Sequence, residues 1–106
     1  MLDLQGITTQ YYEIKLLDGK VLQLKRPTQA MMEYLINIDA LMKTNELEGF
    51  KAFCKMFSRI LNRNTEGLKF NEEDLAEEYD FSIVVYVIKD YFAYWNEDLK
   101  DKVVFQ

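Results

Sequence analysis

At 106 residues the chain reads as one domain, long enough to bury a single core without disulfides or a metal. Its apolar fraction of 49% with 29% charged residues is ordinary for a soluble globular chain, and a net charge of −5 argues against nucleic-acid phosphates as a main partner. A lone cysteine, Cys54, excludes an internal disulfide and fits a reducing cytoplasm.

Residues Met1 to Gln10 lack periodicity and read as an extended lead-in. From Tyr11 the pattern alternates, in "YYEIKLLDGKVLQLK", and Asp18-Gly19 marks a hairpin over residues 11–26. A two-residue loop would set Ile14 opposite Gln23 and mix the faces. A three-residue loop, Leu17-Asp18-Gly19, sets Ile14 opposite Leu22 and Tyr12 opposite Leu24, and leaves Glu13, Lys15 and Gln23 wet. A one-residue slip would turn every side chain over, so the three-residue loop is expected. A lone hairpin is marginal in water, so its apolar face must rest on helices.

Pro27 ends the second strand, and Thr28 can cap a first helix to about Lys43, with Met31, Leu35, Ile38 and Met42 on one stripe. After the break "TNELEG" a second helix is expected from about Leu47 to Asn62, with Phe50, Cys54, Phe57 and Leu61 on its inner stripe. Turn formers in "NRNTEG" end it. Asn71 then caps a short third helix to about Tyr79, with Phe70 and Leu75 placed as a hydrophobic staple.

"DFSIVVYVIKDYFAYW" is ambiguous in isolation. As a strand it would need burial on both faces and partners that the chain does not supply. As a helix from Phe81 to Leu99 it puts Val84, Val87, Ile88, Tyr91 and Trp95 on one stripe. Its apolar arc is roughly 200° wide, where a surface helix needs little more than ~100°. Two compatible readings follow: a central core helix, or one that offers part of its surface to another chain. No apolar run reaches the ~18 residues of a membrane span, and no basic segment followed by an apolar one opens the chain as a secretory signal would. Residues 28–99 are therefore helical and residues 100–106, ending "DKVVFQ", form a tail. The fold class expected is α+β, mostly α, a hairpin packed on three to four helices.

Chemistry is sparse. The chain has no histidine, the commonest general base and metal ligand near neutral pH. Cys54 sits mid-stripe, where cysteine behaves as a small hydrophobe. The carboxylates Glu72, Glu73, Asp74, Glu77, Glu78 and Asp80 lack the glycine-centred pattern of a calcium loop and read as a helix first turn plus a solvated face. Lys51, Lys55, Arg59 and Arg63 recur every fourth residue as a basic ridge, read as a solvated or internally paired face or as a partner contact. No cofactor, metal or catalytic residue is expected, and the chain reads as a non-enzyme.

A hairpin "YEIKLLDGKVLQLKRPT" running into a helix "QAMMEYLINIDALM", a second helix ending "LNRNTEG", and an acidic "NEEDLAEEYD" before a last apolar helix form a recognisable order. Over about residues 11–99 it resembles the tail assembly chaperones of long-tailed phages and prophages of low-GC Gram-positive bacteria. The resemblance implies a small, acidic, mostly helical protein of the host cytoplasm, encoded just before the tape measure protein. Such a protein would bind and solubilise the tape measure protein and help recruit tail tube subunits; many of the family also have a frameshifted longer form. The surface expected to meet the partner is the outward part of the last helix, Tyr86, Phe92 and Tyr94, with Met32 and the ridge of Lys51, Lys55 and Arg59. The wide arc would also suit a homo-oligomer. The alternative is a structural phage or mobile-element protein, such as a tail-completion or connector subunit.

Overall fold

The computed structural model describes residues 1–4 and 10–102, the side chains of 97–102 aside. Residues 5–9 of the expected lead-in and 103–106 of the tail lie outside them. Strands β1 (Tyr12–Lys15) and β2 (Val21–Leu24) pair antiparallel in the register that the alternation requires, Tyr12 opposite Leu24 and Ile14 opposite Leu22. The loop is the three-residue one. Leu16 N–H donates to the Lys20 carbonyl at 2.8 Å, the Asp18 carboxylate accepts from Lys20 N–H at 3.0 Å, and Gly19 takes φ +92°, a conformation that a side chain would strain. Tyr12, Leu22 and Leu24 are buried and Glu13, Lys15 and Gln23 are exposed. The fold is α+β, mostly α: among the described residues the hairpin is the β part and four helices follow it.

Each helix starts at a side-chain cap. Thr28 Oγ1 accepts from Met31 N–H to open α1 (Gln29–Thr44), and Asn45 Oδ1 accepts from Glu48 N–H to open α2 (Glu46–Leu61). Asn71 Oδ1 accepts from Asp74 N–H at the head of α3 (Glu72–Glu78), and Asp80 Oδ1 from Ile83 N–H at the head of α4 (Phe81–Lys102). The "TNELEG" break is thus reduced to the single residue Asn45, which ends one helix and caps the next. The last helix runs past Leu99 to Lys102, so it takes in the start of the stretch expected to be tail.

The hub is α2, which touches α1, α3, α4 and β2. Its buried face is Gly49, Ala52, Met56, Phe57, Ser58, Ile60 and Leu61; of the expected stripe Phe57 and Leu61 are buried, whereas Phe50 is exposed and Cys54 half-buried. The reason is steric. At Gly49 a Cβ would lie 2.2 Å from Met42 Sδ and 3.0 Å from Met42 Cα, so the small residues mark where α1 approaches most closely.

Two asparagines organise the return from α2 to α3. Asn64 is buried; its Nδ2 donates to the Leu61 and Leu68 carbonyls, and its Oδ1 accepts from Glu66 and Leu68 N–H, all within 2.8–3.0 Å. Asn62 exchanges two bonds with Phe70, accepting from its N–H at 2.7 Å and donating to its carbonyl at 2.9 Å. The segment also covers the outer edge of β2, through Lys25 N–H to the Arg63 carbonyl and Thr65 N–H to the Gln23 carbonyl, both 3.0 Å. An otherwise open strand edge is thereby paired.

Candidate functional site

Where α2, α3 and the first turns of α4 meet, three surface depressions adjoin in series, the first two joined at Phe50 and the last two at Phe81. Between α2 and α3 an open cleft of about 370 Å³ is lined by Phe50, Lys51, Cys54, Glu72, Glu73 and Ala76. Tyr79 and Val84 deepen it toward Phe81. Beyond Phe81 it continues over Ser82, Val85, Tyr86 and Lys89 of α4.

The floor is aromatic. Phe81 meets Phe50 edge to face at 4.6 Å between centroids and Phe53 at 5.4 Å, while Phe57 and Tyr79 make a similar pair underneath at 5.1 Å. Phe50 is nevertheless 39% exposed, Phe81 40% and Tyr86 72%. Leu47, 62% exposed, lies on the Phe50 side of α2 one turn earlier. Scattered exposed apolar residues are normal in soluble proteins, but a contiguous run along a groove marks a binding surface.

The walls are charged unequally. Glu72 and Glu73 of α3 form one side. On the other, Lys51 is held by Glu48 at 3.7 Å. Cys54 lies between the walls, its Sγ 3.4 Å from the Glu72 carbonyl. Burial pushes its thiol pKa up, and the Glu72 and Glu73 charges push the same way. It stays a protonated thiol, so the site has no activated nucleophile. Among the described residues no group of three His, Cys, Asp or Glu side chains is placed to hold a metal ion.

The residues expected to meet a partner divide between two places. Tyr86 and Lys51 line the groove. Lys55 and Arg59 do not join them: both lie over the Tyr34 ring of α1, at 5.7 and 5.6 Å, as cation–π contacts. Arg63, the last of the ridge, donates from Nε to the Arg26 carbonyl at 2.9 Å. Met32 is half-buried at the other end of α4, beside Arg26, Pro27, Trp95 and Asn96. Tyr94 is near it, stacked edge to face on Tyr12 and Trp95.

Phe92 is a correction. It was expected to face outward, but it is only 4% exposed and packs edge to face on Tyr91 at 5.2 Å. Its position one turn after Ile88 places it on the buried side of the helix, within the core cluster. Phe50, Phe81, Glu72, Glu73 and Ala76 were missed as site residues. A signal existed: in its first half α2 carries apolar residues on two sides, Gly49-Ala52 and Leu47-Phe50-Cys54, and the first side is the one buried there.

No helix among the described residues is long and apolar enough to cross a membrane. Comparisons with protein-family models, with curated proteins and with solved structures find no match to the chain.

Proposed function

We propose that the protein is a non-enzymatic assembly chaperone that holds apolar helical segments of a larger protein, in the manner of the phage tail chaperones it resembles. The observation that carries the reading is the open Phe50–Phe81 groove with Tyr86 at its end. A small domain that leaves an aromatic floor uncovered gains nothing in stability from the exposure; the surface makes sense if a second chain covers it part of the time. Helix-in-groove docking suits both its shape and the lack of an activated nucleophile.

The partner in this reading is a tape measure protein, long, helical and apolar, which would aggregate before tail tube subunits enclose it. The net charge of −5 keeps the chaperone and its cargo in solution. The residues engaged are Phe50, Phe81 and Tyr86, with Lys51 at the rim; Met32 and Tyr94 form a separate patch for a second contact, for which the tail tube protein is the candidate. Binding takes place in the host cytoplasm, before assembly. Co-expression with the long helical tail protein encoded beside it tests the reading. Its solubility should rise and the two should co-purify. An insoluble tail protein, or recovery of this chain as a stoichiometric part of finished particles, would contradict it, the second outcome favouring a tail-completion or connector subunit.

A further inference from the structure

The groove is asymmetric in charge: Glu72 and Glu73 line its α3 side, and Lys51 its α2 side. The stretch Glu72–Asp80 carries six carboxylates and no lysine or arginine. Asp74 and Asp80 are used as local hydrogen-bond acceptors at helix starts. Among the described residues no cation lies within ion-pair distance of Glu72, Glu73, Glu77 or Glu78. The helix dipole accounts for negative charge in the first turn of α3. It does not account for Glu77 and Glu78 in the last turn, where negative charge is unfavourable, nor for Glu73–Glu77 and Asp74–Glu78, like-charged neighbours four residues apart. Across the groove Lys51 is already held by Glu48, and Lys89 stands at the far end beside Tyr86.

We infer that the groove takes an amphipathic helix whose apolar ridge is edged by lysine or arginine on the side that faces α3. The inference rests on reading the groove as a docking surface and adds which helices it selects. Apolar side chains at i, i+3 or i+4 and i+7 fill the floor over Phe50, Cys54, Ala76 and Phe81, and the basic edge neutralises Glu72 and Glu73. A second copy of this chain is a poor occupant. Each copy carries a net charge of −5, and two of the ridge cations, Lys55 and Arg59, are occupied on Tyr34. Anionic surfaces are disfavoured for the same reason.

The test uses the full chain and three labelled synthetic helices of about 18 residues, roughly five turns. One has a leucine ridge with a lysine edge, one the same ridge with a glutamate edge, and one the lysine edge with serine in place of leucine. Fluorescence anisotropy should show the first bound at least about tenfold tighter than either of the others, a preference that shrinks as salt rises. Exchanging the exposed wall, Glu72→Lys with Glu73→Lys, should reverse the order of the first two, and circular dichroism verifies that the variant is folded. Equal binding of the lysine- and glutamate-edged helices, or an unchanged order in the exchanged variant, overturns the inference. So does binding of the serine helix as tightly as the leucine one, or a self-associated chain that the peptide does not dissociate in light scattering. Solubilisation of the tail protein without any charge preference would leave the chaperone reading standing and remove this inference; charge-selective peptide binding without solubilisation would do the opposite.

Discussion

Phe50 of α2 and Phe81 of α4 are in edge-to-face contact, 4.6 Å between centroids, yet neither is buried. Phe57, seven residues along the same helix from Phe50, is fully buried against Tyr79. One helix thus presents one aromatic to the core and one to the solvent, and the two should respond differently to truncation. Phe57→Ala should cost about 3–5 kcal/mol, the usual range for emptying a core aromatic site. Phe50→Ser should cost less than about 1.5 kcal/mol, the order of an aromatic pair beyond its burial. Urea denaturation of both variants measures the difference.

Asn64 is the second asymmetry between appearance and weight. Its side chain makes four hydrogen bonds inside one loop, and those bonds hold the segment that pairs with β2. Asn64→Ala leaves buried backbone donors and acceptors unmatched, at about 1–3 kcal/mol for each group that water cannot reach. Thermal unfolding should fall by on the order of 10 °C. Asn64→Asp should fall less, since it keeps the acceptor for Glu66 and Leu68 N–H.

Gly49→Ala sets helix propensity against packing. Alanine favours a helix interior by about 1 kcal/mol over glycine. Here its Cβ would overlap Met42 Sδ and press on the Met42 backbone. The side chain can rotate away, but the backbone of α1 cannot withdraw without opening the α1–α2 contact. A net loss of about 1–2 kcal/mol is expected. A gain in midpoint on denaturation would show that α1 yields easily.

Tyr12 reports the hairpin's attachment to α4. Its hydroxyl donates to Asp90, and burial, that hydrogen bond and the Asp90 charge all raise its pKa. Tyr91, whose hydroxyl donates to the Lys25 carbonyl, is raised chiefly by burial. An unfolded tyrosine ionises near ~10, so the folded chain holds these protons more tightly than the unfolded one. The contribution is complete below about pH 10 and is lost as pH rises from there toward the folded values. Stability should therefore be level through neutral pH and fall above about 10, and Tyr12→Phe with Tyr91→Phe should flatten that fall at the expense of stability at pH 7. Chemical denaturation across pH resolves the two effects.

The hairpin, its register and its three-residue loop were legible in the residues because alternation and Asp18-Gly19 agree on a single answer. The helices that start at Thr28 and Asn71 were legible because those caps stand where the apolar periodicity begins. The inner face of α2 was legible at Phe57 and Leu61 but not in the first half of the helix, where Gly49 and Ala52 are buried and Phe50 is not. There apolar residues stand on two sides, and the close approach of Met42 to Gly49 decides between them. Phe92 was misplaced; its position one turn after Ile88 puts it on the buried side of the helix, within the core cluster. The groove depends on the first of these points, so its floor was not read from the sequence, although Tyr86 and Lys51 at its rim were.

Mapping amide chemical-shift changes as the lysine-edged helix is added tests the central claim, that the Phe50–Phe81 groove is the docking surface. The largest changes should fall on Phe50, Cys54, Glu73, Ala76, Phe81 and Tyr86, with Met32 and Tyr94 unmoved. Changes centred on Met32 and Tyr94, or none at saturating peptide, would contradict it.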